Sequence, residues 1–259
     1  RRSYDNMFLA YLKIFRRMDL TAIPMRAATG AIGGDLSHEF QVLAATDESQ
    51  VFYDAALEDI DFRRADLDVE QLMALYAAAD EKHDPAGCPV PAERLRSGRG
   101  IEVGQIFYFG TKYSKPLGAT VMGPDGQEVP VEMGCYGIGV SRLVGALIEV
   151  FHDDAGITWP EPVAPFKLGL INLRPGDAAC DDVVGAIEGQ LARAGIDVLV
   201  DDRDESAGAK FAAMDLIGLP WQAVVGPRGV KQGQVELKAR ASGERCDLSP
   251  DALVGRLAG

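Results

Sequence analysis

Three prolines, Pro160, Pro162 and Pro165, fall inside the single run Trp159-Pro160-Glu161-Pro162-Val163-Ala164-Pro165-Phe166. Each fixes its own φ and removes a backbone donor, so the run can be neither a helix interior nor a central strand. It reads as an extended linker that divides the chain into residues 1–160 and 166–259. With 259 residues and 47% hydrophobic content, each side has the apolar material for a core of its own. No stretch approaches the ~18 consecutive apolar residues of a membrane span, which argues against a membrane partner.

Before the linker, Met7, Phe8, Tyr11, Leu12, Ile14 and Phe15 recur at helical spacing, and the pattern predicts an amphipathic helix over Tyr4 to Met18. Thr21 to Met25 and Glu39 to Ala44 read as strands around a turn at Gly30-Ala31-Ile32-Gly33-Gly34-Asp35. From Asp47 to Arg99 the pattern weakens to an insertion or connector, with one expected helix from Val69 to Asp80. Gly104 to Phe109 reads as a strand. Ala119 to Met122 then pairs with Glu128 to Val131 across an Asp125-Gly126 hairpin turn. Beyond the linker, strands at Lys167 to Ile171, Asp197 to Val200, Trp221 to Val225 and Gln234 to Lys238 alternate with helices at Ala179 to Ala194 and Lys210 to Ile217. That alternation predicts a small α/β domain with a mixed sheet.

The formal charge of −13 speaks against a chain coated for nucleic acid, because phosphate attraction draws on Lys and Arg. A binding face needs only a local basic cluster, however, and Arg228, Lys231, Lys238 and Arg240 supply one. Cys88, Cys135, Cys180 and Cys246 are dispersed without a C-x-x-C pair, the usage of a reducing, cytoplasmic compartment rather than of zinc or a disulfide framework. The start, Arg1-Arg2-Ser3-Tyr4, has no initiator Met and no secretory layout, and the expectation is a piece of a longer polypeptide.

The chemistry concentrates at Gly137-Ile138-Gly139-Val140-Ser141-Arg142, a glycine-lined turn between an extended run and an apolar helix. A dinucleotide fingerprint would need glycine where Arg142 stands, and a P-loop would need Gly-Lys-Ser/Thr. Two readings remain open. The glycines only let backbones pack closely, or they open a floor for a flat adenine while Arg142 offers a guanidinium to a phosphate.

Gly134-Cys135-Tyr136-Gly137-Ile138-Gly139-Val140-Ser141-Arg142 resembles motif 3 of class II aminoacyl-tRNA synthetases in its bacterial prolyl version. Further segments resemble that family in the family's order: Arg26 to Phe40, Gly100 to Phe107, Gly110 to Ser114, Asp201 to Phe211 and Asp215 to Pro220. The resemblance implies an α/β fold: an α+β catalytic part with an antiparallel sheet, and a C-terminal α/β anticodon-binding domain. It also implies the ligation of proline to tRNA(Pro) with ATP and Mg²⁺, by an enzyme that is a homodimer at full length. In that frame Arg142 is the catalytic cation on the outer phosphate of ATP, and Glu102, Gln105, Gly137 and Gly139 face the nucleotide. Phe107 and Cys135 help form the proline pocket, with His38 and Glu39 at or behind it, and Arg203, Lys210 and Lys238 are candidate anticodon contacts. No metal-ligating residue is assigned. The stretch from Phe40 to Glu102 is too short for the large editing domain of many relatives. Motifs 1 and 2 would precede Arg1. The alternative is a truncated, synthetase-like tRNA-binding or regulatory module.

Overall fold

The computed structural model describes residues 1–34, 36–46 and 49–259, so Asp35 in the expected turn and Asp47 at the start of the connector lie outside the described residues. Two compact units divide the chain, Arg1–Val150 and Phe151–Gly259.

The first unit opens with helix α1, Arg2–Arg17, whose Tyr4, Phe8, Tyr11, Leu12 and Phe15 are buried. That spacing lays one aromatic stripe along the helix. The strands are β1 Ala22–Arg26, β2 Leu36–Ala44, β3 Ser49–Asp54, β4 Ala77–Ala79, β5 Leu95–Gly110, β6 Thr120–Met122, β7 Glu128–Pro130 and β8 Met133–Ile138. Helix α2, Val69–Ala74, precedes β4, and helix α3, Val140–Val150, follows β8. The main sheet runs β2-β1-β4-β3-β5-β8, and a further β2–β5 pairing closes β1 to β5 into a ring. Ile23, Met25, Val51, Tyr53, Leu57 and Ala77 form one of the unit's apolar clusters. β6 and β7 make the expected hairpin apart from that sheet.

The stretch expected to be a connector supplies β3, β4 and the start of β5, and is therefore part of the main sheet. The helix expected to reach Asp80 stops at Ala74. Asp68 caps it by accepting from the amides of Glu70 and Gln71, and Leu75 turns extended at ψ 138°. Ala77–Ala79 then pairs with β3 and β1 and is fully buried. Cross-strand bonds and burial outweigh the intrinsic helix preference of alanine, a term of only a few tenths of a kcal/mol per residue.

The second unit begins with a small hairpin, β9 His152–Asp153 and β10 Gly156–Ile157. The domain proper is β11 Leu168–Asn172, α4 Ala178–Arg193, β12 Val198–Asp201, α5 Ala207–Ile217, β13 Trp221–Val225, α6 Pro227–Lys231, β14 Val235–Ala239, β15 Arg245–Leu248 and α7 Pro250–Ala258. Its sheet order is β12-β11-β13-β14-β15; the first three strands are parallel and the last two antiparallel additions. Cys180, Val184, Ile187 and Leu191 of α4 and Leu253 and Leu257 of α7 share one core with Leu168, Leu170, Ala223 and Leu237. On the other side Met214 of α5 packs with Ile171 and Leu219. Gly218 ends α5 in the left-handed region, φ 77°, where an L side chain would be strained, and a Cβ there would collide with the Ile157 carbonyl.

Candidate functional site

Strand register builds the first site. Across β2, β5 and β8 the rows read Glu39, Gln105, Gly137 and Ser37, Phe107, Cys135, while Gln41 stands opposite Glu102. Successive side chains of a strand alternate between faces, and a bulge that skips Val103 between the Phe40–Gly104 and Gln41–Glu102 pairs returns Glu102 to the side of Gln105, so these residues share one face. The intervening row of His38, Ile106 and Tyr136 belongs to the other face. Glu102, Gln105, Phe107, Glu39, Cys135 and Gly137, six of the residues singled out in the sequence, therefore come together on one surface. Cys135 and Gly137 are exposed on it, and Glu39, Glu102, Gln105 and Phe107 are half-buried.

His38 does not join them. It is 3% exposed, its Nδ1 lies 2.7 Å from the Tyr4 hydroxyl, and Phe8 meets its ring edge-on at 5.1 Å. Burial, then the positive Arg26 and Arg1, push its pKa down to about 4, so it is a neutral part of the α1 interface. Of the two places expected for His38, at the pocket or behind it, the strand's period of two residues puts it behind the face.

Polar partners hold the face in place. Gln105 donates to the Ser37 hydroxyl at 3.0 Å, and the Gln41 amide donates to the Glu39 carboxylate at 3.0 Å. Burial pushes the Glu39 carboxyl above its usual range; the Gln41 donor opposes that, and nearby Glu102 and Glu81 add to it. Ser37 and Gln41 were not picked out from the sequence, although both fall on the face by the same alternation as Glu39.

The two glycines differ. A Cβ on Gly139 would sit 3.1 Å from the Arg142 Cβ, so glycine there lets the arginine lie back along the chain. A Cβ on Gly137 would meet nothing nearer than the Gln105 carbonyl at 3.9 Å. Internal packing accounts for Gly139 and leaves Gly137 unexplained. Arg142 sits on the first turn of α3, exposed, with Nη1 donating to the Glu102 carbonyl at 3.3 Å. That bond stations the guanidinium at the margin of the face. Among the described residues no group of three or more His, Cys, Asp or Glu side chains could hold a metal ion.

In the second unit Lys210, Lys238 and Arg240, three of the cations picked out in the sequence, turn inward. Lys210 is fully buried, with Nζ donating to the carbonyls of Asn172 at 2.5 Å and Asp201 at 3.5 Å, so it pins α5 to β11 and β12. Lys238 pairs with Asp215 at 2.6 Å with 15% of its side chain exposed. Arg240 grips Asp153 through two 2.6 Å bonds and ties the β9–β10 hairpin down, and that pair holds the Asp153 carboxyl far below its usual range. Arg203 is exposed but doubly bonded to Asp201 at 2.9 and 2.7 Å. The expectation that Lys210 and Lys238 reach out to a ligand is thus corrected by their internal partners.

What the surface offers instead is a cleft of about 500 Å³ lined by Phe211, Arg228, Gln234, Glu236, Arg245 and Asp247. Phe211 is 37% exposed there, and Arg245 is held by Glu236 at 2.7 Å. An accessible aromatic ring beside two guanidinium groups can stack a base and meet its phosphate. Phe211 was read in the sequence only as part of a resembling segment, and its exposure is set by the helix face it occupies.

Residues 167–259, within the second unit, match the family model described as an anticodon binding domain. Over its whole length the chain is similar to proteins named proline–tRNA ligase. It is 59% identical to one from Parvibaculum lavamentivorans over 269 aligned residues, covering 100% of this chain and 61% of the relative. It is 58% identical to one from Rhizorhabdus wittichii, again covering 100% of this chain and 61% of the relative. The chain thus spans about 61% of the length of these curated relatives. A crystal structure of prolyl-tRNA synthetase from Cryptosporidium parvum, complexed with L-proline and AMP, superposes with a TM-score of 0.68 at 16% identity. That match covers 99% of this chain and 45% of the other, and it bears on the fold. No helix among the described residues is long and apolar enough to cross a membrane.

Proposed function

We propose that this chain carries the ATP and proline face, and the tRNA-gripping domain, of a proline–tRNA ligase. The observation that supports the reading most is Gly137. Nothing in the chain's own packing excludes a side chain there, yet the position is a bare surface in one row with Gln105 and Glu39. A planar adenine needs such a floor.

In this reading Arg142 balances charge on the ATP phosphates, with Glu102 and Gln105 orienting the nucleotide. Glu39 accepts from the proline ammonium, and Phe107 and Cys135 meet the ring. The proline carboxylate attacks the α-phosphorus, its bond to pyrophosphate breaks, and prolyl-adenylate forms. A terminal ribose hydroxyl of tRNA(Pro) then attacks the acyl carbon and AMP departs. Positioning and charge stabilisation carry such steps. Mg²⁺ would ride on the ATP phosphates, because the residues described build no cage for it. In the second unit the Phe211 cleft seats an anticodon base, and Arg203, Arg228 and Arg245 meet the phosphates. Thiols that form no disulfide, Cys88, Cys135, Cys180 and Cys246, suit a cytoplasmic setting.

The test is proline-dependent exchange of pyrophosphate into ATP by the complete natural protein that contains this sequence. Arg142→Ala is expected to lower exchange by ~10²-fold, the scale of losing one transition-state charge contact. Unchanged exchange removes Arg142 from its role.

A further inference from the structure

The end of α1 carries a cluster of cations apart from the candidate site. Lys13, Arg16 and Arg17 stand at i, i+3 and i+4, so they share one stripe of the helix. Arg63 joins them from another segment, and these four cations with Ala65 line a depression of about 230 Å³. In a chain with a formal charge of −13, that concentration makes a local field opposite to the average. Lys13 and Arg17 enter no ion pair among the described residues.

The patch is assembled at some cost. Asp19, just past the helix, adopts φ 61° and is the non-glycine residue with positive φ among those described. Glycine would suit that conformation better, and a carboxylate at a helix C-terminus opposes the dipole. Asp19 instead bonds Arg63 at 2.6 Å and draws it towards the α1 stripe. Its carbonyl accepts from Arg16 at 3.5 Å, with the Thr21 hydroxyl beside it at 3.4 Å. One residue in a disfavoured conformation thus holds cations from two segments around one depression.

The lining selects the ligand class. It has no aromatic wall for a base or ring, so recognition is by charge. None of the exposed large apolar side chains described lies on α1 or near Arg63, which removes the wedge an interfacial membrane contact needs. An extended run of phosphates satisfies four cations at several ångströms' spacing. We propose that this patch binds the phosphodiester backbone of an RNA, and specifically of the tRNA, independently of its sequence. The choice of RNA rests on the ligase reading above.

The test measures tRNA binding by the complete natural protein across a salt series. In Arg16→Ala/Arg17→Ala, affinity should fall about tenfold near 0.1 M salt, and the slope of log affinity against log salt should flatten by about 1.5 units. Arg17→Glu, at an exposed position, should act in the same direction. The loss should be equal for a tRNA with another anticodon, and pyrophosphate exchange should stay unchanged. An unaltered slope overturns the proposal. So does binding of phosphatidylglycerol vesicles that the same variants abolish while tRNA binding persists, which would make the patch a membrane contact. If the unsubstituted protein exchanges pyrophosphate but binds no tRNA, the patch assignment falls while the activation chemistry stands; if it does neither, the ligase reading falls with it.

Discussion

The two units treat their polar residues in opposite ways. In the first, strand alternation and one bulge set Glu39, Glu102, Gln105, Phe107, Cys135 and Gly137 on one accessible face, with Arg142 at its margin. In the second, Lys210, Lys238 and Arg240 are consumed by internal partners, and the cleft is lined by Phe211, Arg228 and Arg245. A cation in a sequence can meet a ligand only if folding leaves it exposed. Both units contain Arg and Lys within family-like segments, so residue type alone could not separate the two outcomes.

The sharpest way to break this comparison is Lys210→Ala. If the lysine is structural, the change leaves two buried carbonyls without a donor and opens a cavity, and the second unit should lose about 3 kcal/mol in a denaturant titration. A loss of tRNA binding at full stability would return Lys210 to the surface role. Next in size is the pH response of the first unit. His38 has a folded pKa of about 4 against 6.5 unfolded, so the unfolded chain binds more protons between those values. Stability is therefore fully present above the unfolded value and declines as pH falls through that window, by up to about 3 kcal/mol. His38→Gln should flatten that decline, and an unchanged profile would show that His38 is not held neutral beneath α1.

A smaller effect sharpens the second site. Phe211→Ala should weaken tRNA binding by about tenfold, a typical loss of one base stack, with little change in melting temperature. Equal binding would empty the cleft of its role. The smallest structural change is Gly137→Ala. With 3.9 Å to its nearest neighbour, the new methyl should alter stability by less than about 0.5 kcal/mol. The KM for ATP should nonetheless rise several-fold in pyrophosphate exchange. An unaltered KM would mean that the glycine is not an adenine floor.

Much of the local structure was legible early. The aromatic stripe of α1, the Asp125-Gly126 hairpin and the strand–turn–helix around Gly137 each follow from short-range periodicity or turn chemistry. The helix forecast through Ala77–Ala79 failed because its decisive partners, β3 and β1, lie far away along the chain. β15 and α7 were passed over, being short elements whose apolar positions count only once they meet β14 and α4.

By itself, then, the sequence determined which residues alternate, where glycine and proline forbid regular structure, and which segments share a family's order. Those properties are local, fixed by covalent geometry and by periods of two or 3.6 residues. The tertiary structure decided which charges remain free. Placing His38 under α1, Lys210 against two carbonyls and Asp19 beside Arg63 depends on pairings across dozens of residues, and burial, which fixes the worth of a charge, exists only after those pairings form.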